Sequence, residues 1–304
     1  MPIPVPLVHT PPFVSPPHVR PELTLLRDGV ELPLTPALGW VVRPGVTGLD
    51  DPPRSLIEIE PATGDGSILT DVRYNTREVF LPLTYKARTP SELRDAVRTL
   101  AALTDVRAGD VTLEVAHVEG TRRYIDGRLS APFGANAYEE NEGGFWRTLG
   151  LTLRCFDPFF YGDQASIGWI VGGDPVEFLS SKFLPVGLDN SQVLGAAVID
   201  NAGDAHSYPV WTITGPCDEL TLGAGGTVIS VPAGLTDSET LVVDARRGVK
   251  TFEINGTAAW DRLDPGSVIS TLPPGPTTLT GTAVGATSAT TITVTWRERW
   301  LTAW

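Results

Sequence analysis

The sequence predicts a mainly β protein with one helix, and three observations carry that prediction. Glycine (31) and proline (27) are both abundant in 304 residues, which with many Thr and Val favours short strands joined by turns. A single amphipathic segment, Thr89 to Leu103, lies between two long β-forming stretches. The second half contains only short apolar-rich runs broken by turn residues, with no helical period.

Taken in order, residues 1–21 hold Pro2, Pro4, Pro6, Pro11, Pro12, Pro16, Pro17 and Pro21. Such a stretch is extended and unable to continue a central sheet. It reads either as a frayed end or as an arm lying along a neighbouring subunit. Leu23 to Arg27 and Val30 to Leu34 flank Asp28-Gly29, a two-residue hairpin signal because both positions tolerate positive φ. Arg43 to Asp51 and Pro61 to Asp71 are rich in Gly, Asp and Pro and read as loops. Ser55 to Glu60 between them alternates as a strand does. Glu78 to Lys86 reads as a long strand in which Pro82 requires an edge or a bulge.

Thr89 is placed to cap a helix, with Pro90 in the first turn and Glu92 three residues on to complete a capping box. Leu93, Ala96, Val97, Leu100 and Leu103 form one apolar stripe, while Arg94, Asp95 and Arg98 face away. Gly109 follows the last turn. Val111 to Ala116 alternates as a strand, Thr121 to Leu129 reads as its return, and Trp146 to Phe156 closes the unit. Asp157-Pro158-Phe159-Phe160-Tyr161-Gly162 then ends the strand, and its aromatics are expected at a domain junction. Beyond it the expected strands are Ala197 to Ile199, Val210 to Thr214, Glu219 to Leu222, Thr227 to Val231, Thr240 to Asp244, Lys250 to Ile254, Thr277 to Thr282 and Thr290 to Trp296. Many short strands with frequent turns describe a β-sandwich or jelly roll.

The composition excludes several function classes. A net charge of −13 lacks the basic footprint that nucleic acid or an anionic membrane requires. The N-terminus lacks a basic segment followed by an apolar one, so no secretory signal is expected. No apolar run approaches the ~20 residues of a membrane span. The two cysteines, Cys155 and Cys217, stand far apart. They are expected as unpaired core thiols, one disulfide being the alternative, and no zinc set accompanies them.

Catalytic chemistry is sparse. Of the four histidines, His9, His18, His117 and His206, none belongs to an H-E-x-x-H pattern. No G-x-S-x-G elbow is present. Asp50-Asp51 and Glu139-Glu140-Asn141-Glu142 are sequence neighbours in loop contexts, not carboxylates facing across a cleft; a solvated turn is the plain reading, with weak calcium ligation the alternative for the second. Gly223, Gly225 and Gly226 open no helix and form no phosphate loop. No cofactor or metal is expected, and no enzymatic activity. Of eight tryptophans, Trp296, Trp300 and Trp304 crowd the C-terminus beside arginines. They suit either an interface or a last strand docked on its own sheet.

The order of these elements resembles a known family. A Gly64-Asp65-Gly66 loop precedes Arg73 to Lys86, with Arg77 entering the strand. The capped helix follows, then Gly109, the Val111 strand, Gly120-Thr121-Arg122-Arg123, and a strand ending in Cys155-Phe156-Asp157-Pro158-Phe159-Phe160. Asn201-Ala202-Gly203-Asp204-Ala205 leads to Pro209 to Pro216, and the chain ends rich in Trp. This is similar to the distal tail proteins of long non-contractile-tailed bacteriophages, of the type found in phages of actinobacteria. The resemblance implies a tail-tube-like β-sandwich or split barrel with one flanking helix (the belt, 22–160, after the arm 1–21), followed by a galectin-like β-sandwich (163–304). It implies a structural virion protein of the tail tip, six copies forming a ring. That ring joins the tail tube protein to a tail-tip hub or lysin-like protein, encloses the tape-measure protein, and passes DNA through its lumen without specific binding; the acid excess of the sequence adds the expectation of an acidic lining that repels DNA and keeps it sliding. Ring contacts are then expected along the two long strands of the belt, at Val79, Leu81, Leu83, Leu149, Leu151 and Leu153. Outer or partner contacts are expected at Trp211, Trp260, Trp296, Trp300 and Trp304. The alternative is a carbohydrate-binding attachment protein using the second sandwich, with Trp211 and Trp260 stacking on sugar.

Overall fold

The computed structural model describes residues 20–133, 142–171 and 194–304; the proline-rich arm, His9, His18 and most of the Glu139–Glu142 cluster lie outside them. The chain is mainly β. Its strands are β1 Glu22–Arg27, β2 Val30–Pro33, β3 Trp40–Val42, β4 Arg54–Ile59, β5 Ile68–Tyr74 and β6 Arg77–Lys86, then helix α1 Pro90–Leu103. After the helix come β7 Val111–Ala116, β8 Arg122–Leu129, β9 Glu142–Gly143, β10 Trp146–Cys155 and β11 Phe160–Val171. The remainder are β12 Leu194–Asn201, β13 Val210–Thr214, β14 Glu219–Ala224, β15 Thr227–Val231, β16 Thr240–Asp244, β17 Thr251–Ile254, β18 Thr257–Ala258, β19 Gly275–Val284 and β20 Thr290–Trp300.

In the first half, β2-β1-β7-β8 and β3-β6-β10-β9 form two antiparallel layers. They touch where Leu153 of β10 pairs with Leu129 of β8. Asp28 (φ 50) and Gly29 (φ 78) make the β1–β2 turn, both residues left-handed as the Asp-Gly signal requires. The interior is apolar: Leu25, Leu81, Leu113, Ile125 and Leu151 are among its fully buried side chains. Helix α1 closes one side by burying Leu93, Leu100 and Leu103, each worth roughly 1.5–3 kcal/mol against exposure.

The helix ends are satisfied as the sequence requires, with one addition. Thr89 Oγ1 accepts from the Glu92 amide at 3.2 Å. Glu92 returns the bond one residue beyond the capping box, accepting from the Arg88 amide at 2.8 Å. At the other end Thr104 is the cap, and the Arg27 guanidinium donates to the carbonyls of Leu103 (2.7 Å) and Ala102 (3.1 Å). A cation thus meets the last carbonyls at the negative end of the helix dipole.

In the second half, β18-β17-β16-β13-β20-β11 faces β12-β19-β14-β15 across a core that includes Trp211, Leu222, Phe252 and Val294. Each strand expected there is present within a few residues, and the Asn255-Gly256 turn repeats the left-handed pair of Asp28-Gly29.

Three local expectations need correction. First, β6 is not an edge strand: β10 lines one side and β3 the other. Pro82 is tolerated because the last β3 pair is Val42↔Leu83. Beyond it, the Pro82 carbonyl accepts from the Arg43 amide at 2.8 Å and no ladder partner calls for a Pro N–H. Second, residues 68–71, read as loop, begin strand β5, which pairs with β4 in a two-stranded sheet of its own. Third, Phe160, Tyr161 and Gly162 do not terminate a strand. They start β11, a twelve-residue strand that sequence reading missed because Gly162 and Gly168 break its apolar pattern.

Candidate assembly surface and the junction

Among the described residues no group of three or more His, Cys, Asp or Glu side chains could hold a metal ion, and no helix is long and apolar enough to cross a membrane. Cys155 and Cys217 are free and buried; burial pushes the Cys155 thiol up to about 12 and also raises Cys217, which suppresses the reactive thiolate. His117 Nε2 lies 2.6 Å from the Ala303 carbonyl and His206 Nδ1 lies 2.8 Å from Thr271 Oγ1. His117 thereby joins the end of β7 to the C-terminal residues, and His206 joins two loops of the second half.

The two halves are built into each other. Strand β11 pairs with β20 through most of its length and touches β8 at Tyr161↔Tyr124, so one continuous sheet runs through both halves. Arg77 is the centre of the junction. Its guanidinium, 1% exposed, donates to the carbonyls of Gly48 (2.9 Å), Asp50 (2.5 Å) and Leu301 (2.6 Å) and lies over the Phe160 ring at 4.8 Å. Burial pulls its pKa down to about 10. Gly48 permits this approach: a Cβ there would stand 2.1 Å from the Glu78 carbonyl.

The C-terminal residues complete the clasp. The Ala303 amide donates to the Leu49 carbonyl at 2.8 Å, and Ala303 is buried in the first core. Trp304 Nε1 donates to Asp50 Oδ1 at 2.8 Å. Arg299, also buried, pairs with Asp157 and lies between the rings of Phe159 (4.3 Å) and Tyr208 (4.6 Å). Sequence reading noted Arg77 only as the start of a strand. A carbonyl cage assembled from residues 48, 50 and 301 has no linear signature.

The expected ring-contact side chains are not on a surface. Val79, Leu81 and Leu83 on β6 and Leu149, Leu151 and Leu153 on β10 are all buried in the first core. The two strands satisfy each other's backbone from Trp146↔Lys86 to Cys155↔Arg77, leaving no mutual edge for a neighbour. Their alternation is that of a strand with one face in its own core. Of the tryptophans, Trp211 and Trp296 are buried in the second core and offer nothing to an outside partner, so the sugar-stacking alternative loses Trp211. Trp300 is half-buried under the Arg123 guanidinium at 3.7 Å. Trp260 and Trp304 are exposed.

The apolar surface that is exposed lies elsewhere, on the β4–β5 hairpin. Leu56 (56% exposed), Ile59 (58%) and Ile68 (61%) accompany Ile57, Leu69 and Val72, all exposed. The pairings Leu56↔Val72 and Ile59↔Ile68, with a bulge after Ile57, distribute these side chains over both faces of the ribbon. A two-stranded ribbon is marginal alone, and clustered exposed apolar residues mark interaction sites.

Residues 202–300 match the family model described as siphovirus-type tail component, C-terminal domain. The match lies within the second half, and the chain as a whole has a Dit-like fold. The likeness is to SPP1 Dit (gp 19.1), whose structure is described as a paradigm of the hub adsorption apparatus in Gram-positive infecting phages. The TM-score is 0.63 at 18% identity, over 91% of this chain and 98% of that one. A chain of the phage p2 baseplate in its activated conformation is also similar: with Ca the TM-score is 0.54 at 9% identity, over 91% and 98%, and with Sr it is 0.53 at 8% identity, over 90% and 97%. At these identities the structural likeness speaks to fold. No curated protein sequence matches the chain.

Proposed function

We propose that the chain is a structural, non-enzymatic component of a bacteriophage tail tip or baseplate. Copies of it form a hexameric ring that joins the tail tube to the tail-tip hub protein and lines the channel through which DNA passes. In this reading residues 22–160 form the ring as a belt domain and residues 163–304 form a galectin-like sandwich on its outer side, the ring enclosing the tape-measure protein before ejection. The observation that carries the reading is the near-complete coverage of both chains in the likeness to SPP1 Dit, together with the tail-component match over residues 202–300.

The chemistry is consistent with this role. Both thiols are buried, and His117 and His206 each bond a neighbouring group, which supports a structural reading. The acid excess suits a channel that repels the DNA backbone and lets it slide. The actinobacterial host type belongs to this proposal through the sequence resemblance alone.

The test is imaging of the intact particle that contains this chain. Six copies in one ring between tube and tip are expected. Copies located in the head, or a single copy with no ring, would overturn the reading, and a basic lumen would overturn the sliding argument.

A further inference from the structure

We propose that the second half of the chain aims the β4–β5 hairpin. Two lines of contacts start on one turn of that half, Asp204 to Tyr208, and end on the two legs of the ribbon. The direction in which the ribbon leaves the body is thus held by residues far from it in sequence. The inference concerns what orients the ribbon and does not depend on the ring reading.

The ribbon has little of its own to fix it. Among the described residues, β4 and β5 pair only with each other, and neither strand contributes to a buried cluster. The Asn75 amide donates to the Pro53 carbonyl at 2.8 Å and Asn75 Nδ2 to Ser55 Oγ at 2.7 Å, bonds that tie the legs to each other and not to the body. The first half holds the approach at Thr47, which bridges to Phe80, and at Leu49, buried in the first core. Beyond Leu49 the six residues of β4 project about 20 Å at ~3.3 Å each. A small turn at the root is therefore a large displacement at the tip.

The first line reaches the incoming leg through the C-terminal residues. Asp204 Oδ2 accepts from the Leu301 amide at 3.0 Å. The Leu301 carbonyl (2.6 Å) and the Asp50 carbonyl (2.5 Å) share the Arg77 guanidinium. Ala303 then bonds Leu49 and the Trp304 indole bonds the Asp50 carboxylate. The second line reaches the outgoing leg through residues 157–159, between β10 and β11. The Arg299 guanidinium donates to the His206 carbonyl at 3.0 Å and lies between the rings of Tyr208 and Phe159. Phe159 in turn meets the ring of Tyr74, the last residue of β5, edge-on at 5.2 Å. The turn is itself held firm: buried Asn201 donates to the Ala205 carbonyl at 3.1 Å and accepts from the Gly203 amide at 3.2 Å. Coupling of this kind is reciprocal, so a partner that fixes the ribbon also steadies the turn.

The test uses the full chain with spin labels on Asp65→Cys at the ribbon tip and Arg98→Cys on helix α1, both exposed positions. Cys155 and Cys217 are buried away from the label. The labelled chain is diluted in unlabelled chain, and the distance between labels is read by double electron–electron resonance. One narrow distance is expected in the otherwise wild-type chain. Asp204→Ala cuts the first line and Tyr208→Ala the second, and the two together should widen the distribution about twofold. Trp304→Ala should widen it as Asp204→Ala does. Trp260→Ala, which removes an exposed ring outside both lines, should leave it unchanged. Melting temperatures check folding. Asp204 is exposed and outside both cores, so a Tyr208→Ala chain that fails to fold leaves Asp204→Ala to decide. A distribution that stays narrow when the turn residues are replaced overturns the inference, as does one already broad before any replacement. Widening by Trp304→Ala but by neither turn variant gives the hold to the C-terminal residues alone and likewise overturns it. None of these outcomes touches the ring reading, which the particle image decides.

Discussion

Two strand pairs in the first half carry the same kind of sequence and live in opposite environments. In β6–β10, Val79, Leu81, Leu83, Leu149, Leu151 and Leu153 recur at every second position and are all sealed in the core. In β4–β5, Leu56, Ile57, Ile59, Ile68, Leu69 and Val72 are as apolar and are all exposed. Alternation identifies a strand with one buried face but does not say whether the cover is the same chain or another. The hairpin differs in having apolar side chains on both faces, which a lone half-buried strand does not need. That two-sided pattern, not apolarity as such, distinguishes surface awaiting a partner from surface already covered.

The largest effect that would sharpen the comparison is on the covered pair and the helix sealing it. Leu100→Asp places a charge on a side chain with 0% exposure and should abolish folding of the first half. Leu151→Ala on β10 should cost about 2–5 kcal/mol in denaturant unfolding, through lost burial and a cavity. A Leu151→Ala loss below about 0.5 kcal/mol would mean that β6–β10 is less tightly packed than its burial indicates.

Next comes the junction. Arg77→Met removes a cation shared by three backbone carbonyls from two distant segments. Leaving buried carbonyls unpaired should cost roughly 3 kcal/mol. It should also speed hydrogen exchange at the Ala303 amide, whose bond to Leu49 lies beside the cage. Unchanged exchange there would show that the C-terminal clasp holds without Arg77.

How much of this was legible in the sequence follows the range of each signal. The helix, its cap at Thr89 and the β1–β2 turn at Asp28-Gly29 were readable because their determinants lie within four residues of one another. So were the second-half strands, each bounded by its own turn. The β5 strand was hidden because Gly64-Asp65-Gly66 marks a turn, and the loop reading was carried past Ile68 into residues that alternate only across a bulge. The burial of β6–β10 was not legible because period two does not name its cover. The Arg77 cage, which reaches from Arg77 to a carbonyl 224 residues further along the chain, was not legible at all.

A smaller effect concerns pH. The Cys155 thiol, raised from 9.0 to about 12 by burial, keeps its proton in the folded chain while the unfolded chain releases it. A raised pKa stabilises fully below the unfolded value, and that stability is lost as pH rises from about 9 to about 12. The melting temperature should therefore fall over that window. Part of the slope should vanish in Cys155→Ala, the rest being left to Cys217 and to the phenols of Tyr85, Tyr124 and Tyr161, all of which desolvation also pushes up. A Cys155→Ala profile parallel to the wild type would show that the thiol does not contribute to the slope.

The smallest expected effect is on the uncovered ribbon. Leu56→Ser with Ile68→Ser removes two large side chains, yet in the isolated chain each already spends more than half its surface in water. What is lost is cross-strand contact with Val72 and Ile59, worth about 0.2–1 kcal/mol per pair. The melting temperature of the monomer should move by a degree or two at most, in contrast to the loss expected at Leu151. A drop as large as that of Leu151→Ala would mean that the ribbon packs against its own chain in solution, and the contrast between the two strand pairs would fail. A monomer that melts unchanged but no longer assembles would place the stabilising role of those side chains outside the single chain, which is what separates this ribbon from β6–β10.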